Sequence, residues 1–412
     1  MQQNSLPKKL NSVLISTYTH IHNGVRTNGS GPVNPLLKFF AQFANITVYI
    51  IEQPLPHSDF KEIIFRKIQG GEELLSIQKS ILFSFPNQEL HSNKTYLRLK
   101  LRDLISNFAF IYPHIEKKVD LFIGLESVNA SCGSILKKMN FVNEVVYYIF
   151  DWAPDRYENQ IMNKIYLGLD KFASYTCDST WNITYTIGEA RLNLLGYNPK
   201  KLSPQLYVPY SYNYSSANIA EDEDVNTNLI VYSGGLIQEN GPHILIDSFR
   251  IVLESFHKAK LLIIGGGDGE KRIEKQIKDH GLENNVQVTG YISDEEKIIK
   301  LQKKAAIAVA PYPIMKRSRK PYGDVIKIRM YFACGLPVIS TPVPPVIKEI
   351  RDEGLGKVAL DDSPESIAQE IMKYLSNPSK IFEDRKRVLE KAKKSNWSDN
   401  YSNALQKMGY RV

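Results

Sequence analysis

Short apolar runs that read as buried strands alternate with stretches of helical spacing along nearly the whole of this 412-residue chain. Such alternation dictates parallel sheets, because a parallel strand pair needs a crossover of about a dozen residues or more, and a helix is the usual one. In the first half, strands are expected at 13–17, 46–51, 121–125 and 145–150. Helical spacing falls at 35–43, 96–112, 130–139 and 157–172, with Gly133 or Asn140 marking an end. In the second half, strands at 229–233, 260–264, 286–289, 307–310 and 338–340 alternate with helices at 243–254, 270–280, 294–303, 325–333 and 364–376. The expected fold class is α/β with doubly wound sheets.

A boundary falls where composition changes. Residues 213–227 are polar, acidic and poor in core-forming side chains, so they read as a linker between a first domain, 1–212, and a second, 228–395. The chain is long enough for two cores. Its longest apolar runs, at 261–264 and 305–310, fall far short of the ~20 residues that cross a bilayer. The polar N-terminus runs straight into a strand and lacks the apolar centre of a signal peptide, so the expected location is the cytoplasm. Cys132, Cys177 and Cys334 are widely separated in apolar surroundings, which fits reduced buried thiols; no structural metal is expected. A formal charge of +8 suits nucleic acid, an anionic membrane surface or a phosphorylated ligand. No zinc-finger or RNA-recognition signature appears and the basic residues do not gather into one arm, which argues against nucleic acid. Lys94, Arg98, Lys100 and Arg102 form either a patch for anionic lipid at the inner face of a membrane or a solvated helix face.

Asp324-Val-Ile-Lys-Ile-Arg-Met-Tyr-Phe-Ala-Cys-Gly335-Leu-Pro-Val-Ile-Ser-Thr341 reads as a capped helix, a glycine stop and a buried strand. Asp324 is expected to cap the helix, Lys327 falls in its first turn, Gly335 takes the left-handed position past its end, and Pro337 prevents continuation. Free amides at such a start, with the helix dipole behind them, favour a phosphate or carboxylate, and Lys327 adds a full charge. The same pattern fits an ordinary helix, turn and strand of an α/β sheet. Leu261-Leu-Ile-Ile-Gly265-Gly-Gly-Asp-Gly269 places three glycines directly after a buried strand, where the backbone can turn sharply and approach a ligand. It is not the dinucleotide fingerprint, since no acidic residue follows a first-strand Gly-x-Gly-x-x-Gly by ~20 positions. A second glycine turn, Tyr232-Ser-Gly234-Gly-Leu236, follows strand 229–233. Two glycine turns and the Asp324 helix start are expected to share one crevice.

In the first half, Gly29, Ser30 and Gly31 belong to a loop between the first strand and a helix, either facing the cleft or lying on the surface. Asp151 ends a strand at the edge where α/β ligands bind; it could hold a substrate hydroxyl, act as a base, or cap the next segment. Glu126 follows strand 121–125 at the same edge. The eight histidines show no paired spacing with carboxylates, so no histidine-based nucleophilic triad is expected.

Together these segments resemble the group 1 glycosyltransferases, retaining enzymes of the GT-B fold that use nucleotide-sugar donors. In the second half the resemblance rests on residues 232–249, 262–269, 288–291 and 324–338; in the first, on the Gly29–Gly31 loop, Asp151, Cys177-Asp-Ser-Thr-Trp-Asn182 and Val208-Pro-Tyr-Ser-Tyr-Asn213. The tail Lys391-Ala-Lys-Lys-Ser-Asn-Trp397 and a last helix, about 396–412, are similar to the segment that crosses back onto the first domain. The resemblance implies two Rossmann-like domains facing across a cleft, with acceptor on the first and donor on the second. The donor side is expected to comprise Gly234, Gly235, Gly265, Gly266, Gly267, Asp268, Tyr291, Tyr322, Gly323, Asp324, Val325, Ile326 and Lys327. Gly29, Ser30, Gly31, Glu126 and Asp151 border the acceptor, and Asp151 and Lys327 carry the chemistry. The implied reaction moves a sugar from a nucleotide-diphosphate donor to a hydroxyl of a glycan or lipid-linked acceptor, with retention and without a bound cofactor or metal ion.

The chain departs from the family at charged positions. Gly235 and Asn240 stand where the family has an arginine and a lysine on the pyrophosphate; Tyr322 and Met330 stand where it has two glutamates, and Phe150 where it has a histidine. An Asp-x-x-Lys helix start, here Asp324 and Lys327, with Arg317, Arg319 and Lys320 before it, would restore the charge. The alternative reading is a glycosyltransferase-like scaffold without catalysis; a third is an epimerase or phosphorylase on the same fold.

Overall fold

The computed structural model describes residues 7–22, 25–28, 32–55, 62–79, 93–115, 117–212 and 214–411. They form two compact units, Met1–Pro209 with Trp397–Val412, and Tyr210–Asn396.

A nine-stranded sheet organises the first unit. Its parallel part runs Gln205–Tyr207, Ser179–Asn182, Val142–Ile149, Val119–Leu125, Ser12–His22 and Thr47–Pro54 in spatial order. Leu121, Phe122 and Ile123 point alternately to opposite faces and are all fully buried, as a strand covered by helices on both sides requires. Beyond Thr47–Pro54 the sheet turns antiparallel through Ile63–Gln69 and Glu72–Lys79, a hairpin not among the expected strands. Gly70 and Gly71, at φ 56° and 84°, form its two-residue turn. Helix Glu126–Lys138 starts four residues before the expected 130, and Gly133 lies inside it rather than at an end. A Cβ on Gly133 would come within 2.5 Å of the Phe122 ring, so the glycine lets this helix lie close on the sheet. The helix stops at Asn140, at φ 67°. Helix Trp397–Lys407 completes the unit: Tyr401 is fully buried, stacks on Trp397 and Trp181, and donates to the Pro32 carbonyl at 3.1 Å.

Six parallel strands organise the second unit, in the order Val286–Val288, Lys260–Ile264, Asn226–Ser233, Ala305–Ala310, Val338–Ser340 and Gly356–Val358. Ile230, Ile263, Ile307 and Ile339 face one layer of helices; Val231, Leu262, Ala308 and Val338 face the other. Helix Ile326–Ala333 packs in the second layer through Ile328, Tyr331 and Phe332. It ends as the sequence requires: Gly335 sits at φ 73°, with Leu336 N donating to Tyr331 O and Gly335 N to Phe332 O, a Schellman stop.

The acidic segment 213–227, expected as a linker, packs on this unit. Arg385, itself 2% exposed, donates to Asp222 Oδ1 at 3.1 Å and to the Ala220 carbonyl, and Ala220 and Val225 are buried. Polar composition signalled a tether; a buried arginine supplies the partner that composition could not reveal. Residue 213 lies outside the described residues. Cys132, Cys177 and Cys334 are buried free thiols. Among the described residues, no helix is long and apolar enough to cross a membrane.

Candidate functional site

In the second unit, the turns after strands Asn226–Ser233 and Lys260–Ile264 interlock. Gly234 N donates to Ile264 O and Leu236 N to Gly266 O, at 2.9 and 3.0 Å. Gly265 has φ 152°, and a Cβ on it would lie 2.0 Å from Gly234 O, so only glycine lets these turns meet. Gly265 also bridges Gly290, which places Tyr291, 81% exposed, beside the same turn. Gly267 and Asp268 are exposed.

Lys327 reaches this turn from the first turn of helix Ile326–Ala333. A Cβ on Gly234 would sit 3.0 Å from its Nζ. The ammonium lies 4.3 Å from the centre of the Tyr232 ring and 4.8 Å from that of Tyr312, with Lys320 Nζ 4.9 Å from the Tyr312 ring on its own account. It is buried and has no hydrogen-bond partner among the described residues. Burial pushes its pKa well below the ordinary lysine range, and the Lys320 charge adds to the effect. The helix start bears no side-chain cap, so its first amides are open to an anion.

Asp324 does not cap that helix; the N-cap position is Val325. A stronger partner lies one turn on: both Asp324 carboxylate oxygens accept from Arg329 Nε at 3.1 and 3.2 Å, and Oδ2 also accepts from Tyr210 N at 2.8 Å. Arg329 spends its remaining nitrogens on Glu349, at 2.8 Å each, and Lys391 pairs with Glu349 at 3.0 Å. Burial opposes ionisation of Glu349, but Arg329 and Lys391 outweigh it and hold the carboxyl at about 2. For Asp324, burial raises the pKa even beside Arg329. The aspartate thus anchors the segment entering the helix. Tyr322 and Gly323 precede it half-buried, Val325 is buried, and Ile326 is 45% exposed.

In the first unit, Glu126 and Asp151 follow adjacent parallel strands and line one cavity of about 150 Å³, with Tyr18, Lys100, Arg156 and Tyr166. Asp151 enters it as an ion pair, its Oδ2 2.8 Å from Arg156 Nη2, rather than as the free base the sequence allowed. Among the described residues Glu126 makes no ion pair there, though its carboxylate takes a backbone hydrogen bond from Asp151. Its Oε1 is buried with no hydrogen-bond partner, and its backbone takes φ 69°, which a non-glycine residue rarely adopts. Burial pushes its carboxyl up to about 7, against the pull of Arg156 and with a push from Asp151. Lys100 donates to Tyr18 OH at 3.0 Å, and Arg102 is buried against Asp103 at 2.7 Å, so these two cations of the expected basic patch turn inward. Gly29, Ser30 and Gly31 lie outside the described residues.

The family described as glycosyl transferases group 1 matches residues 217–395. The matched residues make up most of the second unit, Tyr210–Asn396. Two uncharacterized glycosyltransferases of Methanocaldococcus jannaschii are similar over parts of their length. One is 28% identical over 183 residues, 44% of either chain; the other is 34% identical over 83 residues, 20% of either. This chain therefore aligns with less than half the length of these curated relatives. Sucrose-phosphate synthase from Thermosynechococcus elongatus superposes with a TM-score of 0.68 at 16% identity, covering 97% of this chain and 98% of that one. HepE of Anabaena, solved with UDP, gives 0.64 at 12%, covering 97% and 100%. The fold is GT-B.

Within the matched residues, Gly235 and Asn240 are architectural. Asn240 Nδ2 and Tyr232 OH both donate to Gly235 O at 3.0 Å, so they shape the turn that Lys327 approaches. Residues 317–335 contain one acid, Asp324, and Arg329 occupies it. The sequence reading passed over Glu270. Its carboxylate lies between two glycine turns: a Cβ on Gly266 would meet its Oε2 at 2.9 Å, and one on Gly290 its Oε1 at 3.3 Å. Its place in the first turn of helix Glu270–Asp279 was the available signal. Arg156 was missed as well, because its partner Asp151 drew attention as a lone acid.

Proposed function

We propose that this chain transfers a sugar from a nucleoside-diphosphate donor on the second unit to an acceptor hydroxyl on the first, with retention, in the assembly of a glycan or glycolipid. The observation that carries this reading is the Lys327 ammonium, buried without an acceptor among the described residues against Tyr232 and Tyr312 beside the Gly234 turn. A buried cation without a counter-ion is costly unless a ligand supplies one. A diphosphate against Lys327 and the open helix start fills that role. Charge grows on the diphosphate as the bond to the anomeric carbon breaks, and a preoriented ammonium stabilises it without reorganisation. In this reading Lys327 supplies the charge that a metal ion would otherwise bring, and the work takes place in the cytoplasm. Glu270, between the Gly266 and Gly290 turns, stands in for a missing carboxylate toward ribose or sugar hydroxyls.

HepE was solved with UDP and with UDP-glucose, which makes uridine nucleotides the first probes. A thermal-shift screen with UDP, GDP, ADP and their sugars tests the reading. Ligand at ~100 times its dissociation constant stabilises by about 2.7 kcal/mol. A shift with one nucleotide family, followed by release of the free nucleoside diphosphate in the presence of chelator, is expected; no shift with any of them overturns the proposal. One observation favours a second reading, a nucleotide-binding scaffold without transfer: Asp324, the one acid between Tyr322 and Met330, is locked by Arg329. A nucleotide shift without nucleoside-diphosphate release across a broad acceptor set identifies that case.

A further inference from the structure

Helix Ile326–Ala333 delivers Lys327 in its first turn, and Tyr331 stands one turn further on, on the same side of the helix. The Tyr331 ring is fully buried, and its hydroxyl meets one residue twice: it accepts from Ser233 N at 2.6 Å and donates to Ser233 O at 3.3 Å. Ser233 ends strand Asn226–Ser233 and precedes Gly234, the glycine whose imagined Cβ sits 3.0 Å from Lys327 Nζ.

The sheet leaves a gap at this point, and Tyr331 fills it. The ladder with strand Ala305–Ala310 pairs Ile230 with Ile307 and Val231 with Ala308, and it ends two residues short of Ser233. Gly234 N turns to Ile264 O on the other flank, so Ser233 presents its N–H and C=O toward the flank where the ladder has ended. Ser233 is buried, and buried backbone groups are almost always paired. A single hydroxyl, both acceptor and donor, serves both of them. Tyr232 holds the far side of the turn, its hydroxyl donating to Gly235 O at 3.0 Å.

We propose that Tyr331 is a positioning residue for Lys327: its hydroxyl locks the helix to Ser233 and so sets the spacing between the ammonium and the Gly234 turn, without itself touching a ligand. The use of that spacing, to hold a nucleoside diphosphate, rests on the transferase reading; the lock does not. Other anchors secure the helix elsewhere: Arg329 ties it to Asp324 and Glu349, and Arg385 donates to Gly335 O past its end at 3.1 Å. Tyr331 is the anchor that faces the turn. A charged group misplaced by about an ångström can cost on the order of 100-fold in rate, so the lock bears on function as well as on stability.

Calorimetry with UDP, GDP and ADP and urea unfolding, both on the full chain, test this with Tyr331→Phe, Lys327→Met, the double variant and Tyr374→Phe. The last controls for loss of a buried hydroxyl: Tyr374 lies in the other helical layer and donates to Asp384 Oδ2 at 2.6 Å. Tyr331→Phe is expected to bind the nucleotide at least fivefold more weakly than wild type, while Tyr374→Phe binds as wild type does. In the Lys327→Met background the Tyr331→Phe step should cost less than twofold, because the residue acts through the ammonium. Without nucleotide, Lys327→Met raises the urea midpoint of wild type and should raise that of Tyr331→Phe by less than half as much, since an unlocked ammonium relaxes toward solvent. Equal affinity in wild type and Tyr331→Phe, or an equal Tyr331→Phe loss in both backgrounds, overturns the proposal and leaves the transferase reading intact. If no nucleotide binds wild type, the transferase reading falls and the unfolding cycle decides: an equal midpoint shift in the two backgrounds overturns the lock, and a halved one sustains it. Tyr331→His, which keeps a polar ring too short for the span, carries the same expectations should Tyr331→Phe fail to fold.

Discussion

Lys327 Nζ lies 4.3 Å from the centre of the Tyr232 ring, buried and without a hydrogen-bond partner among the described residues. This ammonium destabilises the unliganded protein. Its folded pKa is lowered, so between that value and the ordinary lysine range the unfolded chain binds more protons, and the penalty is present at neutral pH and fades as pH rises. Lys327→Met is expected to stabilise the free protein by about 0.5–2 kcal/mol in urea unfolding at pH 7 while reducing nucleotide affinity. A less stable variant contradicts the account of the buried charge.

Asp324 has the opposite role. Removing it leaves Arg329 buried with Glu349 as its remaining carboxylate. Asp324→Ala is expected to cost about 3–5 kcal/mol, measured by urea unfolding, with nucleotide affinity of the folded fraction close to wild type. Strong loss of affinity in a protein of normal stability would return Asp324 to direct donor contact.

Two neighbouring glycines should respond oppositely. Gly265→Ala places a Cβ 2.0 Å from Gly234 O at φ 152°, so both turns must move; a loss of about 3 kcal/mol or more is expected, together with nucleotide binding. Gly235 has open space, its imagined Cβ meeting only Asn240 Nδ2 at 3.6 Å. Gly235→Arg, which installs the family's usual cation, is expected to fold normally and bind nucleotide more tightly by calorimetry. Unchanged or weaker binding contradicts the placement of the diphosphate at this turn.

Glu126 makes stability depend on pH. Its folded pKa of about 7 lies above the usual 4.5, so the unfolded carboxyl ionises first and wild type loses stability as pH rises from 4.5 through 7. Relative to Glu126→Gln, wild type should lose on the order of 2–3 kcal/mol between pH 4.5 and pH 8. Urea unfolding of both proteins at the two pH values checks this, and an equal difference at both refutes it.

Much of the fold was legible because burial on both faces writes itself into continuous apolar runs. Strands 260–264 and 338–340 have the expected ends, since glycine or proline borders them. The hairpin at Ile63–Gln69 and Glu72–Lys79 was missed although Gly70-Gly71 stood between its strands; Glu72–Lys79 is an exposed edge strand with little apolar signature. Gly133 misled because its use, close approach to Phe122, depends on a strand elsewhere in the chain. The site divided in the same way. Glycine turns and Lys327 were visible because local geometry demands them. The locking of Asp324 by Arg329, the pairing of Asp151 with Arg156 and the burial of Glu126 depend on which side chains the fold brings together, and spacing carries little of that.

The most direct test of the account is calorimetric titration of UDP, GDP and ADP into wild type and Lys327→Met. It predicts that one nucleoside diphosphate binds wild type and that the variant, folded and at least as stable, binds it at least tenfold more weakly, a loss of about 1.4 kcal/mol or more. Equal affinity in the two proteins, or no binding to wild type by any of the three, would contradict it.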